Sequence, residues 1–382
     1  MVNKNLIHEF KVLEYISDNQ IIKNSIQLFI IFHLLDTTLG FLNILNKNFN
    51  IKSIIGIPYS ANTKIVNKIE NDINCPILIP NSIEEIEDII LKEFNNCNDK
   101  DPIIILEVGW YCAKIIDKLK SIKHNLIGVV EDTNQGHWIY ESLSNLCVPV
   151  LSIAQSPIKD LENRLIGKAI VFSLENIIRK YFYYTFCGKN VLVFGYGKIG
   201  KSVAKTLKSR DCIVYVWDIN PIKRIEARLD GFIVLKKEDM LKSSDVIVGV
   251  SGKKSISSKD FYNMKKGAIV CSGSSKQVEI DIEYLSEESS IESINKELSK
   301  VTLNNNVFFY LLNDGKPINF NDNSVLDSIL DLIFSELFMC ICDISNNKNQ
   351  NGVKSLDVTI HEYICNIWEN YYINEGKEIK IG

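Results

Sequence analysis

A glycine-rich stretch, VLVFGYGKIGKSVA at residues 191–204, constrains the fold more than any other part of the chain. An apolar run typical of a buried strand leads into G-x-G-x-x-G, and a helix-forming segment follows it. In such a turn Gly195 permits the tight bend, Gly197 lets the backbone approach a pyrophosphate, and Gly200 lets helix and strand pack closely. The stretch therefore predicts a dinucleotide site in a Rossmann-type domain.

The residues after this loop favour NAD as the cofactor. A helix that starts at Lys198 and Ile199 offers its free N–H groups to the phosphates. The next predicted strand ends at Asp218, about 20 residues on, where a carboxylate binds the ribose and repels the 2′-phosphate of NADP. Lys223 and Arg224 follow and could weaken that preference; the alternative is that both are solvated helix residues.

Short apolar runs alternate with helix-length segments in two series, which predicts an α/β protein with two parallel sheets. The predicted strands of the first series are Gln27–Phe32, Ile51–Ile57, Pro76–Ile79, Ile103–Leu106, Leu126–Val130 and Val148–Ile153. Those of the second are Val191–Phe194, Ile213–Trp217, Phe232–Val234, Val246–Val250 and Ala268–Cys271. Long helices are predicted at Leu161–Tyr184, Ser324–Ile344 and Val353–Tyr372.

The length of 382 residues also favours two domains, since one domain usually takes about 100–200. We predict a substrate domain at residues 1–168 and a hinge helix with linker at 169–188. A Rossmann NAD-binding domain follows at 189–322, and C-terminal helices at 323–382 are predicted to pack back on the substrate domain.

Composition excludes several classes of protein. With 43 Lys and Arg against 47 Asp and Glu, the net charge of −4 gives no electrostatic reason to expect nucleic acid. No apolar run reaches the roughly 18 residues that cross a bilayer, so no membrane association is expected. The ten Cys form no C-x-x-C pair and predict reduced thiols in a cytoplasmic protein, with no metal site.

Several phrases resemble S-adenosylhomocysteine hydrolase, and the likeness covers nearly the whole chain. They are EDTNQG at residues 131–136, DINPI at 218–222, and the segment from Met264 to Asp281. In that family a bound NAD oxidises the ribose 3′-hydroxyl, which acidifies the C4′ proton. Loss of that proton expels a thiol from C5′, water adds, and the ketone is reduced again. The resemblance thus implies an NAD cofactor and a nucleoside-like substrate.

Matched position by position, the resemblance also implies site residues. The residues matched to catalytic positions are His33, Lys159, Asp132 and Asn163, with His33 near the leaving group. The residues matched to NAD contacts are Thr133, Asn134, Gln135 and Asn319, the last on the carboxamide.

Other positions depart from the family pattern. Thr37 stands where the family has a ribose-binding Glu, and Val108 replaces an Asp of its Asp-Asp-Gly-Gly stretch, with Glu107 adjacent. Ser275 takes the place of a histidine near the nicotinamide, and the tail Glu375–Gly382 lacks the Lys and Tyr that reach a neighbouring subunit. Because catalytic groups act as a set, efficient hydrolysis of the usual substrate is not expected.

Three functions stay open at this point: an altered NAD-dependent enzyme, a genuine adenosylhomocysteinase, and an inactive NAD-binding regulator. Lys159 can act as a base only if its pKa falls from about 10.4 towards neutrality; otherwise it only donates a hydrogen bond. Arg164 either binds an anionic group of the ligand or forms a surface salt bridge. The resemblance further implies a homo-oligomer, either a dimer or a tetramer.

Overall fold

The computed structural model describes residues 10–22, 25–61, 63–274, 276–322, 325, 327–347 and 349–374. The chain divides into two compact units. Unit 1 holds Met1–Glu162 and Leu326–Gly382, and unit 2 holds Asn163–Val325. Ser275, the start of the predicted helix at Ser324, and the tail from Glu375 lie outside the described residues.

Strands and helices alternate along most of the chain. The strands are β1 Gln27–Phe32, β2 Asn50–Gly56, β3 Ile77–Leu78, β4 Ile103–Glu107, β5 Leu126–Glu131, β6 Pro149–Ser152, β7 Asn190–Phe194, β8 Ile213–Trp217, β9 Val246–Gly249, β10 Ile269–Ser272, β11 Ser289–Asn295, β12 Leu298–Leu303, β13 Phe308–Leu312 and β14 Gly352–Lys354. The α-helices are α1 Lys11–Asn19, α2 Leu39–Asn48, α3 Thr63–Asp72, α4 Ile86–Phe94, α5 Ile116–Ile122, α6 Asn134–Ser142, α7 Pro157–Phe182, α8 Lys198–Lys208, α9 Pro221–Leu229, α10 Lys237–Ser243, α11 Ser258–Phe261, α12 Ile282–Glu288, α13 Asp327–Asn346 and α14 Val358–Tyr372.

Unit 1 is built on a parallel sheet of seven strands in the order β14-β6-β5-β4-β1-β2-β3. Every residue of β1 and β4 is buried, because helices cover both faces of such a sheet. All strands run the same way, so the residues that follow them meet at one edge. This edge of unit 1 is where ligands bind in α/β proteins.

Unit 2 also has a seven-stranded sheet, in the order β11-β12-β13-β10-β9-β7-β8. Its strands β8, β7, β9, β10 and β13 are parallel, whereas β11 and β12 add an antiparallel edge. Along β7 the side chains alternate between two cores, with Val191 and Val193 on one face and Leu192 and Phe194 on the other. The predicted α/β class with a Rossmann-type sheet and a second parallel sheet is confirmed.

Three predicted elements differ from the structure. Val353 lies in strand β14, paired with β6, and the helix begins only at Val358 because Asp357 caps it. The segment predicted as a strand at Phe232–Val234 forms a single bridge, from Ile233 to Tyr215. The helix α7 begins at Pro157, a residue favoured in the first turn.

Helix α13 packs against β4, β5 and β6, and it also contacts helix α1. The buried Asp331 carboxylate accepts the backbone N–H groups of Val12 and Leu13, both at 2.9 Å, and the Tyr372 hydroxyl at 2.9 Å. These bonds satisfy N–H groups that the first turn of α1 cannot pair internally.

Candidate functional site

The three glycines of the loop after β7 meet different surroundings. Gly195 has φ +98°, and a Cβ there would lie 2.8 Å from the Ser251 Cα. A Cβ on Gly200 would lie 2.1 Å from the Gly195 carbonyl oxygen. A Cβ on Gly197 would have no atom within 4 Å. The fold therefore requires the first and third glycines, whereas the second borders open space of the kind a pyrophosphate needs.

Helix α8 begins directly at this open space. Gly197 is its N-cap and has no side chain that could cap the first turn, which includes Lys198 and Ile199. The N–H groups at the positive end of an 11-residue helix form an anion site. The loop and helix start therefore fit the phosphates of a dinucleotide.

Asp218 follows β8 and its carboxylate is held by the backbone. Its two oxygens accept the Tyr196 N–H at 2.7 Å and the Asn220 N–H at 2.8 Å. The Arg224 guanidinium is engaged nearby, since it donates to the Asp218 carbonyl at 2.7 Å, and Lys223 pairs with Glu226 at 2.9 Å. Both cations thus have protein partners, and the oriented carboxylate fits the ribose of NAD.

Glu279, which no sequence motif indicated, is fully buried in unit 2 and accepts hydrogen bonds from two loops. Its oxygens accept the hydroxyls of Ser251, Ser255 and Ser274 and the N–H of Gly252. Burial raises the pKa of this carboxyl group, whereas the donated hydrogen bonds lower it. Glu279 therefore ties the loop after β9 to the loop after β10.

Asn319 is also placed at the end of β10. The preceding residue, Ile318, donates its N–H to the Ser272 carbonyl at 3.1 Å, and Asn319 itself is buried. The structure thus brings Asn319 to the strand ends where the glycine loop lies. Its contact with the carboxamide stays a prediction.

His33 directly follows β1 at the edge of unit 1. Its Nδ1 lies 2.6 Å from the Ser60 hydroxyl oxygen, and Ser60 donates its one hydrogen to the Ile57 carbonyl at 3.1 Å. The neutral His33 therefore carries its proton on Nδ1, and Nε2 holds the lone pair. The His33 ring also lies 5.9 Å from the ring of Tyr59.

Lys159 is buried in the first turn of α7 between two carboxylates. Its ammonium lies 2.6 Å from Asp132 Oδ1 and 2.5 Å from Glu162 Oε2. Burial lowers the pKa of Lys159, but the charges and hydrogen bonds of both acids outweigh burial and raise it above its ordinary value. The condition for Lys159 to act as a base, a lowered pKa, is therefore not met, and its environment favours the alternative of a charged hydrogen-bond donor.

Ser156, Glu336 and His361 form a second buried group, which contacts the backbone of Lys159. Ser156 Oγ accepts the Lys159 backbone N–H at 3.0 Å and donates to Glu336 Oε2 at 2.9 Å. Glu336 Oε1 in turn lies 2.9 Å from His361 Nε2. The first turn of α7 is thus tied to α13 and α14. Sequence analysis had assigned no role to His361 or Glu336.

Thr133, Asn134 and Gln135 begin helix α6 in unit 1. The Thr133 hydroxyl caps the helix by accepting the Gly136 N–H at 3.0 Å, and it donates to Glu131 at 2.8 Å. Asn134 Oδ1 accepts from Gln155 at 2.6 Å. Thr133 therefore has a structural role here, and contacts of the three residues with NAD stay predictions.

Asn163 and Arg164 follow Glu162 on α7, at the start of unit 2. Asn163 is buried, and its Nδ2 has no hydrogen-bond partner among the described residues. Such an amide usually has a water or ligand partner. The Arg164 side chain is exposed.

No metal site is found among the described residues, which contain no group of three or more His, Cys, Asp or Glu side chains placed to hold an ion. In the same ranges no helix is both long and apolar enough to cross a membrane.

The fold and the glycine loop define an NAD-binding protein of the Rossmann type. Residues 169–325 match the family model described as S-adenosyl-L-homocysteine hydrolase, NAD binding domain. The adenosylhomocysteinase of Aquifex aeolicus (strain VF5) is 29% identical over 230 residues, which cover 58% of this chain and 54% of that protein. Residues 169–325 are therefore similar to the NAD-binding domain of S-adenosylhomocysteine hydrolases. The chain spans about half the length of this curated relative.

Two solved structures match the chain at low similarity. A dipicolinate synthase component from Bacillus halodurans is 14% identical with a TM-score of 0.42, covering 70% of this chain and 88% of that one. A phosphoglycerate oxidoreductase from Vibrio cholerae is 12% identical with a TM-score of 0.40, covering 65% and 75%. These likenesses are too distant to support any statement about activity.

Proposed function

We propose that this chain is an NAD-dependent enzyme that oxidises a sugar hydroxyl of a nucleoside-like substrate. Elimination, hydration or simple release of the oxidised product would follow. The observation that carries the proposal is the ammonium of Lys159, held between Asp132 and Glu162 at the ligand-binding edge of unit 1. The NAD-binding frame of unit 2 supports it.

The charged group around Lys159 has a defined part in this chemistry. NAD, when bound, supplies the hydride acceptor. The protonated Lys159 donates a hydrogen bond to the oxygen of the reacting hydroxyl and stabilises the negative charge that grows there. Asp132, whose side chain is 15% exposed against 8% for Lys159, accepts the hydroxyl proton.

In this proposal His33 acts on the group that departs or adds, away from the hydroxyl that is oxidised. With Nδ1 bonded to Ser60, its Nε2 can take up a proton and return it to a departing or adding group. Thr37 and Val108 are both buried and bring no charge to hold the ribose hydroxyls. We therefore expect a substrate that differs from S-adenosylhomocysteine.

Absorbance of the reduced nicotinamide at about 340 nm tests the proposal. The NAD-loaded protein is mixed with adenosine, inosine or S-adenosylhomocysteine, and a thiol reagent follows release of homocysteine. We expect a rise in absorbance with at least one nucleoside, little thiol release, and loss of the rise in Lys159→Met. Lys123→Met is the matched control, because Lys123 is also buried but pairs with the exposed Asp99.

The other two functions predict different results. Release of homocysteine at a rate that matches the redox cycle would identify a genuine adenosylhomocysteinase. Stable NAD binding with no absorbance change for any nucleoside would favour an inactive regulator. The homo-oligomeric state and the cytoplasmic location stay predictions, and sedimentation of the purified chain tests the first.

A further inference from the structure

The turn that follows β4 holds a bulky residue in a backbone conformation that suits glycine. Gly109 has φ +104° and Trp110 has φ +59°. For a residue with a Cβ the left-handed region costs roughly 1–2 kcal/mol, and a large aromatic residue there is rare. Strain of this kind persists where the surrounding structure enforces it.

A single buried carboxylate enforces this turn. Glu131 accepts the N–H groups of Gly109 at 3.1 Å and Trp110 at 2.9 Å. The same group accepts the Thr133 N–H at 2.7 Å and the Thr133 hydroxyl at 2.8 Å. A Cβ on Gly136 would lie 2.1 Å from its carboxyl carbon, so α6 packs directly upon it. Glu131 thus joins the turn after β4 to the start of α6.

A second buried acid, Glu107, lies beside Glu131, and we call these two acids the clamp. Glu107 is the register partner of Glu131 on the adjacent strand, and both are fully buried. Glu107 accepts the Cys112 N–H at 2.9 Å and the Tyr140 hydroxyl. Burial, and then the charge of Glu107, raise the pKa of Glu131 to about 8. Burial also raises the pKa of the neighbouring Tyr111, Cys112 and Tyr140, so Glu131 lies in a buried environment that disfavours negative charge.

The clamped turn reaches the candidate catalytic residues of unit 1. Tyr111 is an electrostatic neighbour of Tyr59, whose ring lies 5.9 Å from that of His33. On the other side of the clamp, Asp132 follows Glu131 and pairs with Lys159 at 2.6 Å. Trp110 is half-buried at this edge, with the Lys114 ammonium 5.4 Å from the centre of its indole.

We propose that Trp110 determines ligand specificity by stacking on a flat aromatic ring of the ligand, and that Glu131 is the positioning residue that holds Trp110 in place. The ring is expected on the indole face opposite Lys114. A purine or pyrimidine base is the matching chemical class, because every base offers a π face to an aromatic side chain. This inference deepens the proposed function and rests on its nucleoside-like ligand.

Binding of adenosine by equilibrium dialysis tests the part played by Trp110. Trp110→Gly keeps a residue that suits the left-handed turn and removes the indole, so we expect binding at least about tenfold weaker. Tyr183→Gly is the matched control, since Tyr183 is an aromatic residue with φ +57° that is 88% exposed. An unchanged dissociation constant in Trp110→Gly, or no adenosine binding by the wild type, overturns the inference.

Hydrogen exchange and a double-mutant cycle test the part played by Glu131. In Glu131→Gln the Trp110 amide should exchange faster, whereas Asp331→Asn, another buried carboxylate that holds two backbone N–H groups, should leave that amide unchanged. Because Glu131 acts through Trp110, Glu131→Gln should weaken adenosine binding in the wild type but not further in Trp110→Gly. Additive losses in the double variant, or unchanged exchange, would show that Glu131 does not position Trp110.

These results stay distinguishable from failure of the proposed function. Adenosine binding that needs Trp110 but produces no reduced nicotinamide would reject the oxidation and keep the inference. Reduction of NAD by adenosine with normal binding in Trp110→Gly would reject the inference and keep the oxidation.

Discussion

Substitution of Gly197 should greatly weaken NAD binding with little effect on the stability of the fold. Gly197 has φ −75° and ψ −165°, which a residue with a side chain adopts without strain, and its Cβ would meet no atom within 4 Å. We therefore expect Gly197→Val to change the stability of the NAD-free protein by less than about 0.5 kcal/mol. For a unit of this size that shifts the melting temperature by less than about 2 °C.

The expected loss of NAD affinity is much larger. A valine side chain would occupy the approach of the pyrophosphate to the first turn of α8. Loss of one or two charge-assisted hydrogen bonds costs about 3 kcal/mol, which weakens binding roughly 150-fold. Bound NAD after purification, and titration of the stripped protein by calorimetry, measure this loss.

Gly200→Val is the contrasting variant, since its Cβ would lie 2.1 Å from the Gly195 carbonyl oxygen. Such crowding should cost about 3 kcal/mol and lower the melting temperature of the NAD-free protein by roughly 6–12 °C. Wild-type NAD occupancy in Gly197→Val, or an equal loss of stability in both variants, would refute the assignment of the open space to the pyrophosphate.

Three further outcomes follow from charged side chains. Lys159→Met leaves the buried Glu162 and the half-buried Asp132 without a counterion and should lower the free energy of unfolding by about 3–5 kcal/mol, whereas Lys123→Met should cost at most about 1 kcal/mol in urea titrations. The pKa of Glu131 is raised from its ordinary 4.5 to about 8, so folding binds a proton between these values and stability falls as pH rises. Between pH 6 and 8, Glu131→Gln should remove a slope of up to about 1.4 kcal/mol per pH unit; identical slopes would contradict the raised pKa. Asp218→Ser should reduce the preference for NAD over NADP by about tenfold in paired binding titrations, and an unchanged ratio would show that another group selects the cofactor.

Most of the parallel strands were predictable because their residues are buried on both faces, whereas the parallel strands β13 and β14 were not predicted. β1, β4 and β7 each appear in the sequence as short apolar runs, and the glycine spacing after β7 indicates its turn. Strands β11 and β12 were not predicted. The Ser and Glu residues of β11 are mostly exposed, and in β12 polar Ser and Lys residues interrupt the apolar pattern. Pairing between neighbouring strands, rather than local propensity, determines such edge elements.

The candidate site was predictable only in part. Lys159 and Asp132 were selected by resemblance, and the structure pairs them. The raised pKa of Lys159 depends on Asp132 and then on Glu162, which no sequence motif indicated. The Glu107–Glu131 pair needs the register of two strands, which no local pattern gives. A signal was nonetheless present, because each acid ends a run of buried apolar residues.

Hydride transfer from the sugar to NAD tests the central claim most directly. The NAD-loaded protein is incubated with adenosine that carries deuterium at C3′, and with adenosine that carries it at C2′ as the control. Mass spectrometry of the extracted nicotinamide should find deuterium from the C3′-labelled sample only, and much less of it in Lys159→Met. The absence of deuterium from nicotinamide with both labels, while NAD and adenosine are bound, would contradict sugar oxidation by this chain.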